Sequence, residues 1–134
     1  MIKNRLFFCF LIWSQLTWAQ APQGLNYQAV ARNASGIELV NQALSVQVLI
    51  HQSNPNGNLV FSETHAVSTN PFGLFTLVIG SVDSLNFANI DWSTGPYFLE
   101  ILIDPTGTGG NYFSMGTTQF MSVPYALYAK VSGN

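Results

Sequence analysis

Leu44-Ser45-Val46-Gln47-Val48-Leu49-Ile50-His51 is the stretch on which the fold turns. Leu44, Val46, Val48 and Ile50 occupy alternate positions, so in an extended chain they share one face while Ser45, Gln47, Leu49 and His51 share the other. That alternation predicts a strand with one buried and one wetter side. Ser53-Asn54-Pro55-Asn56-Gly57-Asn58 comes next, dense in residues that accept turn dihedrals, and predicts a hairpin into a second strand from Leu59 through Val67. Tyr97, Leu99, Ile101 and Ile103 repeat the period of two further along.

Working outward, Leu25 to Arg32 reads as a strand closed by the turn Asn33-Ala34-Ser35-Gly36. Thr69-Asn70-Pro71-Phe72-Gly73 is another turn, with a short strand, Leu74 to Ile79, behind it. Residues 80–96 have no clean period and predict a long crossing loop. Pro105-Thr106-Gly107-Thr108-Gly109-Gly110-Asn111 forbids any regular element, and Tyr112 to Met121 returns as the last strand. Only the end has a helical character: Ser122 as cap, Pro124 in a first turn, then Tyr125-Ala126-Leu127-Tyr128-Ala129-Lys130. Short strands between Gly, Pro and Asn turns, without an amphipathic helix to cross a parallel sheet, predict an all-β fold. The expected form is an antiparallel β-sandwich of about six to seven strands with a short C-terminal helix.

The first nineteen residues have the organisation of a signal peptide. Lys3 and Arg5 form a positive region, Leu6 to Trp13 an unbroken apolar run, and Thr17-Trp18-Ala19 a small-residue cleavage site. Cleavage is expected between Ala19 and Gln20, because a cut after Ala21 would place Pro22 against the scissile bond. Eight apolar residues fall well short of the roughly 20 that span a bilayer, so no membrane span is expected after cleavage. Cys9 lies inside the apolar run behind the bulky Phe8, which argues against a lipid anchor. The chain thus divides into a signal peptide at 1–19, a sandwich at 20–121 and a junction segment at 122–134.

Residues 20–134 keep two cations, Arg32 and Lys130, against six carboxylates, a formal net charge of −4. Such a balance disfavours nucleic acid as a partner, since phosphate neutralisation needs clustered Lys and Arg. No cysteine remains in these residues, so stability must come from packing and not from disulfides. Charged residues make up 7% of the chain, which leaves Asn, Gln, Ser and Thr to cover the surface and predicts weak salt dependence of whatever it binds.

Gln23-Gly24-Leu25-Asn26-Tyr27-Gln28-Ala29-Val30-Ala31-Arg32 resembles the opening of a module found at the start of many secreted and surface proteins of Bacteroidota. The likeness continues in Ser62-Glu63-Thr64-His65, in Asn70 through Gly80, in Ile90-Asp91-Trp92-Ser93 and in Ser122 through Lys130. It implies an export context, and a longer protein in which collagen-like repeats, a fibre-like stalk, a chaperone tail or a sorting domain follows. Against that pattern the chain ends at Asn134, which reads as a stand-alone version or a truncated frame. A weaker likeness of pattern, the Gly-x-x-Leu opening and the Phe-Gly-Leu-Phe return, is to carboxypeptidase-regulatory and transthyretin-like sandwiches, an immunoglobulin-like class of architecture. Neither implies an activity.

Candidate chemistry is sparse. Glu63 and His65 lie two apart on one strand face and would share a proton or contribute to a metal site, but zinc needs three or four converging ligands, and a structural pair is the plainer reading. Asp91 with Glu100 or Asp104 is a conceivable carboxylate pair for glycoside hydrolysis in a domain with little room for a cleft. No nucleophile elbow, phosphate loop or dinucleotide fingerprint is present, and no catalytic residue, metal or cofactor is expected. Trp92, Tyr97, Tyr112 and Phe113, with Phe87 nearby, are candidates for stacking on a glycan if exposed together, though Trp92 closing one end of the sandwich is the simpler expectation. Asn33-Ala34-Ser35 is a sequon that a bacterial chain would leave unused, and Asp83-Ser84-Leu85 offers Ser84 as a site of O-glycosylation. Tyr125, Leu127 and Tyr128 are candidates for docking. The residues together predict a non-enzymatic exported module for surface or extracellular assembly, with a protein partner through self-association or a following stalk. A carbohydrate-binding module is the alternative and a small hydrolase the remote one.

Overall fold

The computed structural model describes residues 24–121. In chain order it contains β1 (Leu25–Val30), β2 (Ala43–Gln52), β3 (Asn58–Ser68), β4 (Leu74–Ile79), a short helix α1 (Ser84–Ala88), a 3-10 turn (Trp92–Thr94), β5 (Tyr97–Asp104) and β6 (Phe113–Gln119). β3-β2-β5-β6 form one four-stranded sheet and β1-β4 a two-stranded one, and every pairing is antiparallel. The fold is therefore an all-β sandwich of six strands, as the alternation in the sequence predicts.

The alternation of β2 is realised residue by residue. Leu44, Val46, Val48 and Ile50 are buried, and the last three lie in register with Ile103, Ile101 and Leu99 of β5 on the same inner face. Phe75, Leu77 and Ile79 of β4 close the core from the opposing sheet, where the Tyr27 ring lies 6.1 Å from Phe75. Each such large side chain removed from water stabilises the fold by about 1.5–3 kcal/mol. β2 is interior to its sheet because it is flanked along its length, by β3 on one edge and β5 on the other.

Turn chemistry sets the connections. Asn33 Oδ1 accepts from the N–H groups of Ser35 and Ile37, and Asn70 Oδ1 accepts from those of Phe72 and Leu74, so two asparagines each fold a turn around one oxygen. In the β2–β3 hairpin a Cβ on Gly57 would come 1.8 Å from the Gln52 carbonyl oxygen, a closeness only glycine tolerates. The same hairpin carries a bulge: Ile50 pairs with Phe61 and His51 with Leu59, which leaves Val60 unpaired.

One expectation is corrected. Residues 80–96 are not a plain crossing loop, because Asp83 accepts from the Asn86 N–H at 3.2 Å to start α1, and Asp91 accepts from the Ser93 N–H at 3.0 Å to start the 3-10 turn. Both turns are held by one aromatic cluster. Phe87 meets Phe61 edge-on at 5.3 Å, Trp92 meets Phe87 at 5.9 Å and Tyr97 at 5.1 Å, and Phe120 reaches Trp92 at 5.3 Å. The expected C-terminal helix, the Ala19–Gln20 cleavage point and the docking candidates Tyr125, Leu127 and Tyr128 lie outside the described residues.

Candidate functional site

Three polar arrangements stand out against a charge-poor chain. The first is the pair expected from the sequence. Glu63 and His65 project inward from β3, and both are buried. The Glu63 carboxylate accepts the N–H of Gly80 through Oε1 and that of Val82 at 3.1 Å through Oε2. It therefore fastens the chain leaving β4 onto the edge of the larger sheet. His65 Nε2 lies 3.1 Å from Glu63 Oε2 but off the line of a hydrogen bond, so the contact is electrostatic proximity and not a directed bond. His51 is elsewhere: its Nε2 is 3.1 Å from Glu100 Oε1 and its Nδ1 is 3.1 Å from the Gly57 carbonyl. Among the described residues no three His, Cys, Asp or Glu side chains converge on a point that would hold a metal ion.

The second arrangement is built on Asp104, at the end of β5 and fully shielded from solvent. One carboxylate oxygen accepts from the Thr106 N–H and hydroxyl at 2.9 and 2.6 Å. The other accepts the N–H groups of Gly109, Gly110 and Asn111 at 2.7, 2.9 and 3.2 Å. The hydroxyl of Thr106, helped by these amides, holds the carboxyl well below the usual carboxylate range against the opposing effect of burial. The glycine-rich stretch 105–111 is thus a loop wound around an anion that the protein itself supplies. Asp91 precedes β5 and Asp104 ends it, so the two lie toward opposite ends of the strand, and Glu100 faces outward between them to bond His51 and the Ser114 hydroxyl. The carboxylate pair considered for glycoside hydrolysis is therefore not brought together.

The third arrangement is a groove of about 480 Å³ between the start of β3 and the α1–3-10 segment. Leu59, Val60 and Ser62 form one wall, and Asp83, Asn86, Asn89 and Asp91 form the other. Its size falls in the range of small-ligand sites, although it is open and not enclosed. Nothing in the sequence marks a groove here, since its polar wall lies in a stretch without a period; the one signal is Asp83 three residues before Asn86, the spacing of a helix cap.

The glycan-stacking candidates separate. Tyr97 is 2% exposed, with its ring against Trp92 and its hydroxyl donating to the Asp91 carbonyl at 2.5 Å, so it is part of the core and offers no stacking face. Trp92 is half-buried in the same cluster. Tyr112 and Phe113 sit at the far end of β5, where the Tyr112 hydroxyl meets the Ser45 hydroxyl at 2.5 Å and Phe113 pairs with Ile103. The four rings therefore form no single platform. Ser84 is exposed at the first position of α1, and the Asn33 side chain is occupied within its own turn.

A family model, Domain of unknown function (DUF8740), matches residues 26–118. The chain belongs to this family. The DUF8740 match opens in β1 and closes in β6, so it spans all six strands, both polar clamps and the groove. No curated protein and no solved structure matches the chain. Among the described residues no helix is long and apolar enough to cross a membrane.

Proposed function

We propose that the protein is an exported, non-enzymatic β-sandwich module of surface or extracellular assembly, in which residues 122–134 form the junction to a partner or a following stalk. One observation carries the reading: every carboxylate of the described residues is engaged in holding the fold. Glu38 pairs with Arg32 at 2.8 Å, Glu63 fastens the chain after β4, Asp83 and Asp91 cap helical turns, Glu100 bonds His51 and Asp104 winds its loop. Acid–base chemistry requires groups free to exchange protons with a substrate, and these are committed to internal donors. What faces outward is largely neutral and hydrogen-bonding, which suits a spacer or connector. The signal-peptide organisation of residues 1–19 and the resemblance to secreted modules support the exported setting.

The test compares residues 20–134 with the same protein lacking 124–134, by light scattering coupled to size exclusion and by thermal melting. The expected result is a shortened protein that remains folded, with a midpoint lowered by a few degrees, and that loses self-association or partner binding. Unfolding on deletion would make the segment part of the core. Specific retention on a glycan panel, unchanged by the deletion, would favour the carbohydrate-binding alternative.

A further inference from the structure

His51 stands where several parts of the larger sheet meet. It is the first residue of β2 past the bulge, in register with Leu59 of β3 and Phe98 of β5. Following the buried Ile50, its side chain turns to the outer face of the sheet, yet that side chain is only 13% exposed. Nδ1 lies 3.1 Å from the carbonyl oxygen of Gly57, in the turn of the β2–β3 hairpin, and Nε2 lies 3.1 Å from Glu100 Oε1 on β5. The other oxygen of Glu100 accepts the hydroxyl of Ser114 on β6 at 2.9 Å. One imidazole and one carboxylate thus join the hairpin turn, the two central strands and β6.

The two partners of the ring bear on its protonation. A carbonyl oxygen accepts and cannot donate, and an ionised carboxylate likewise only accepts. Neutral imidazole has a single N–H, so it satisfies one of these acceptors and turns a lone pair toward the other. Imidazolium has two and meets both, one of them in a charge-assisted bond. Placing the second proton on Glu100 instead also makes both bonds. The complete arrangement therefore needs one proton more than a neutral histidine beside a carboxylate. Neighbouring strands bring Leu59 and Ser62 of β3, Phe98 of β5, and Gln119 and Thr117 of β6 to the same face, all of them neutral. The hairpin turn, residues 53–57, carries no titratable side chain, and His65 is on the inner face of β3. Among the described residues Glu100 is the one titratable group facing His51.

We propose that His51 and Glu100 form a proton-operated clasp. With the second proton in place it fastens the hairpin turn and β6 to the centre of the sheet, and when that proton leaves, one of the two links of the ring is lost. Histidine is the side chain whose charge ordinarily changes between about pH 5 and 8, so the clasp closes in mild acid and half-opens toward the alkaline end of that range. Its contribution to stability is present where the folded state holds the second proton, and is lost as pH rises through the titration of the ring. The inference goes beyond the assembly reading and rests on His51, Gly57, Glu100 and Ser114 alone.

The test compares thermal melts of a protein comprising residues 20–134 with those of its His51→Gln variant at about pH 5.5 and about pH 8, a span over which Glu100 is ionised unless it shares the proton of the ring. The expected result is a midpoint several degrees higher for the parent in mild acid, with the difference at least halved at the higher pH. His65 is present in both proteins, so its titration cancels from the difference. Nitrogen-resolved NMR of the ring gives a second readout that does not need the His51 variant to fold. In Glu100→Gln the side-chain amide can donate to Nε2 while Nδ1–H meets Gly57, so the neutral ring is satisfied there. His51 should therefore keep both ring protons to a higher pH in the parent than in Glu100→Gln. A difference in midpoint that stays constant or grows with pH would overturn the clasp, and so would identical ring titrations in the two proteins.

Discussion

Single side chains in this protein act chiefly as fasteners, and two of them give direct tests. Glu63 receives one buried and one partly buried backbone donor that no other group satisfies in the described structure. In Glu63→Gln one of the two oxygens becomes an amide donor facing a donor, so the variant should lose about 1–3 kcal/mol in a urea titration, the cost of a buried donor left unpaired. A loss within error would mean that the chain after β4 is held by packing alone. Asp104 gives a pH signature. Its folded carboxyl is held below its unfolded value of about 3.9, so its contribution is fully present above that value and is lost as pH falls through the folded one. Asp104→Asn should therefore melt lower than the parent at neutral pH, and the gap should narrow on acidification from pH 4 toward 2. A gap that stays constant over that range would remove the charged clamp from the account. Asp104 also shows the limit of reading residues singly: it is an unremarkable acid at the end of an apolar strand, and its role appears only when Gly109, Gly110 and Asn111 curl back upon it.

Elements were legible in proportion to the regularity of their side-chain pattern. β2 and β5 announce themselves because both sit in the interior of a sheet with one fully buried face, so every second residue must be apolar. β4 is found with its bounds because Gly73 and Gly80, both at positive φ, punctuate it on either side. α1 was missed for the converse reason: five residues cannot show a period of 3.6, and only Phe87 among them is buried. The helix exists because tertiary contact holds it, with Phe87 wedged between Phe61 and Trp92 and closing over Gly80, where any Cβ would strike its ring at 2.5 Å. Phe87→Ala should cost about 3–5 kcal/mol, as other buried Phe truncations do, and should release the α1–3-10 segment as a unit. Hydrogen exchange would show it as protection lost across residues 83–94 and kept in β2 and β5. Uniform loss of protection would show instead that this end folds with the whole sandwich.

Across the molecule the all-β sandwich, the β2–β3 hairpin and the buried faces of β2 and β5 agree with what alternation and turn chemistry dictate, whereas the division into sheets and the groove were beyond the sequence's reach. Its walls come from β3 and from a segment more than twenty residues later, and nothing local marks either as facing the other. The aromatic cluster has a further use. Of the three tryptophans in the chain, Trp13 and Trp18 precede residue 20, so a protein comprising residues 20–134 emits from Trp92 alone. That indole touches Phe87, Tyr97 and Phe120, which belong to α1, β5 and the residue after β6. Intrinsic fluorescence of residues 20–134 is thus a one-site optical gauge of this end of the sandwich, and its colour and quenching report on whatever occupies that end without any added label.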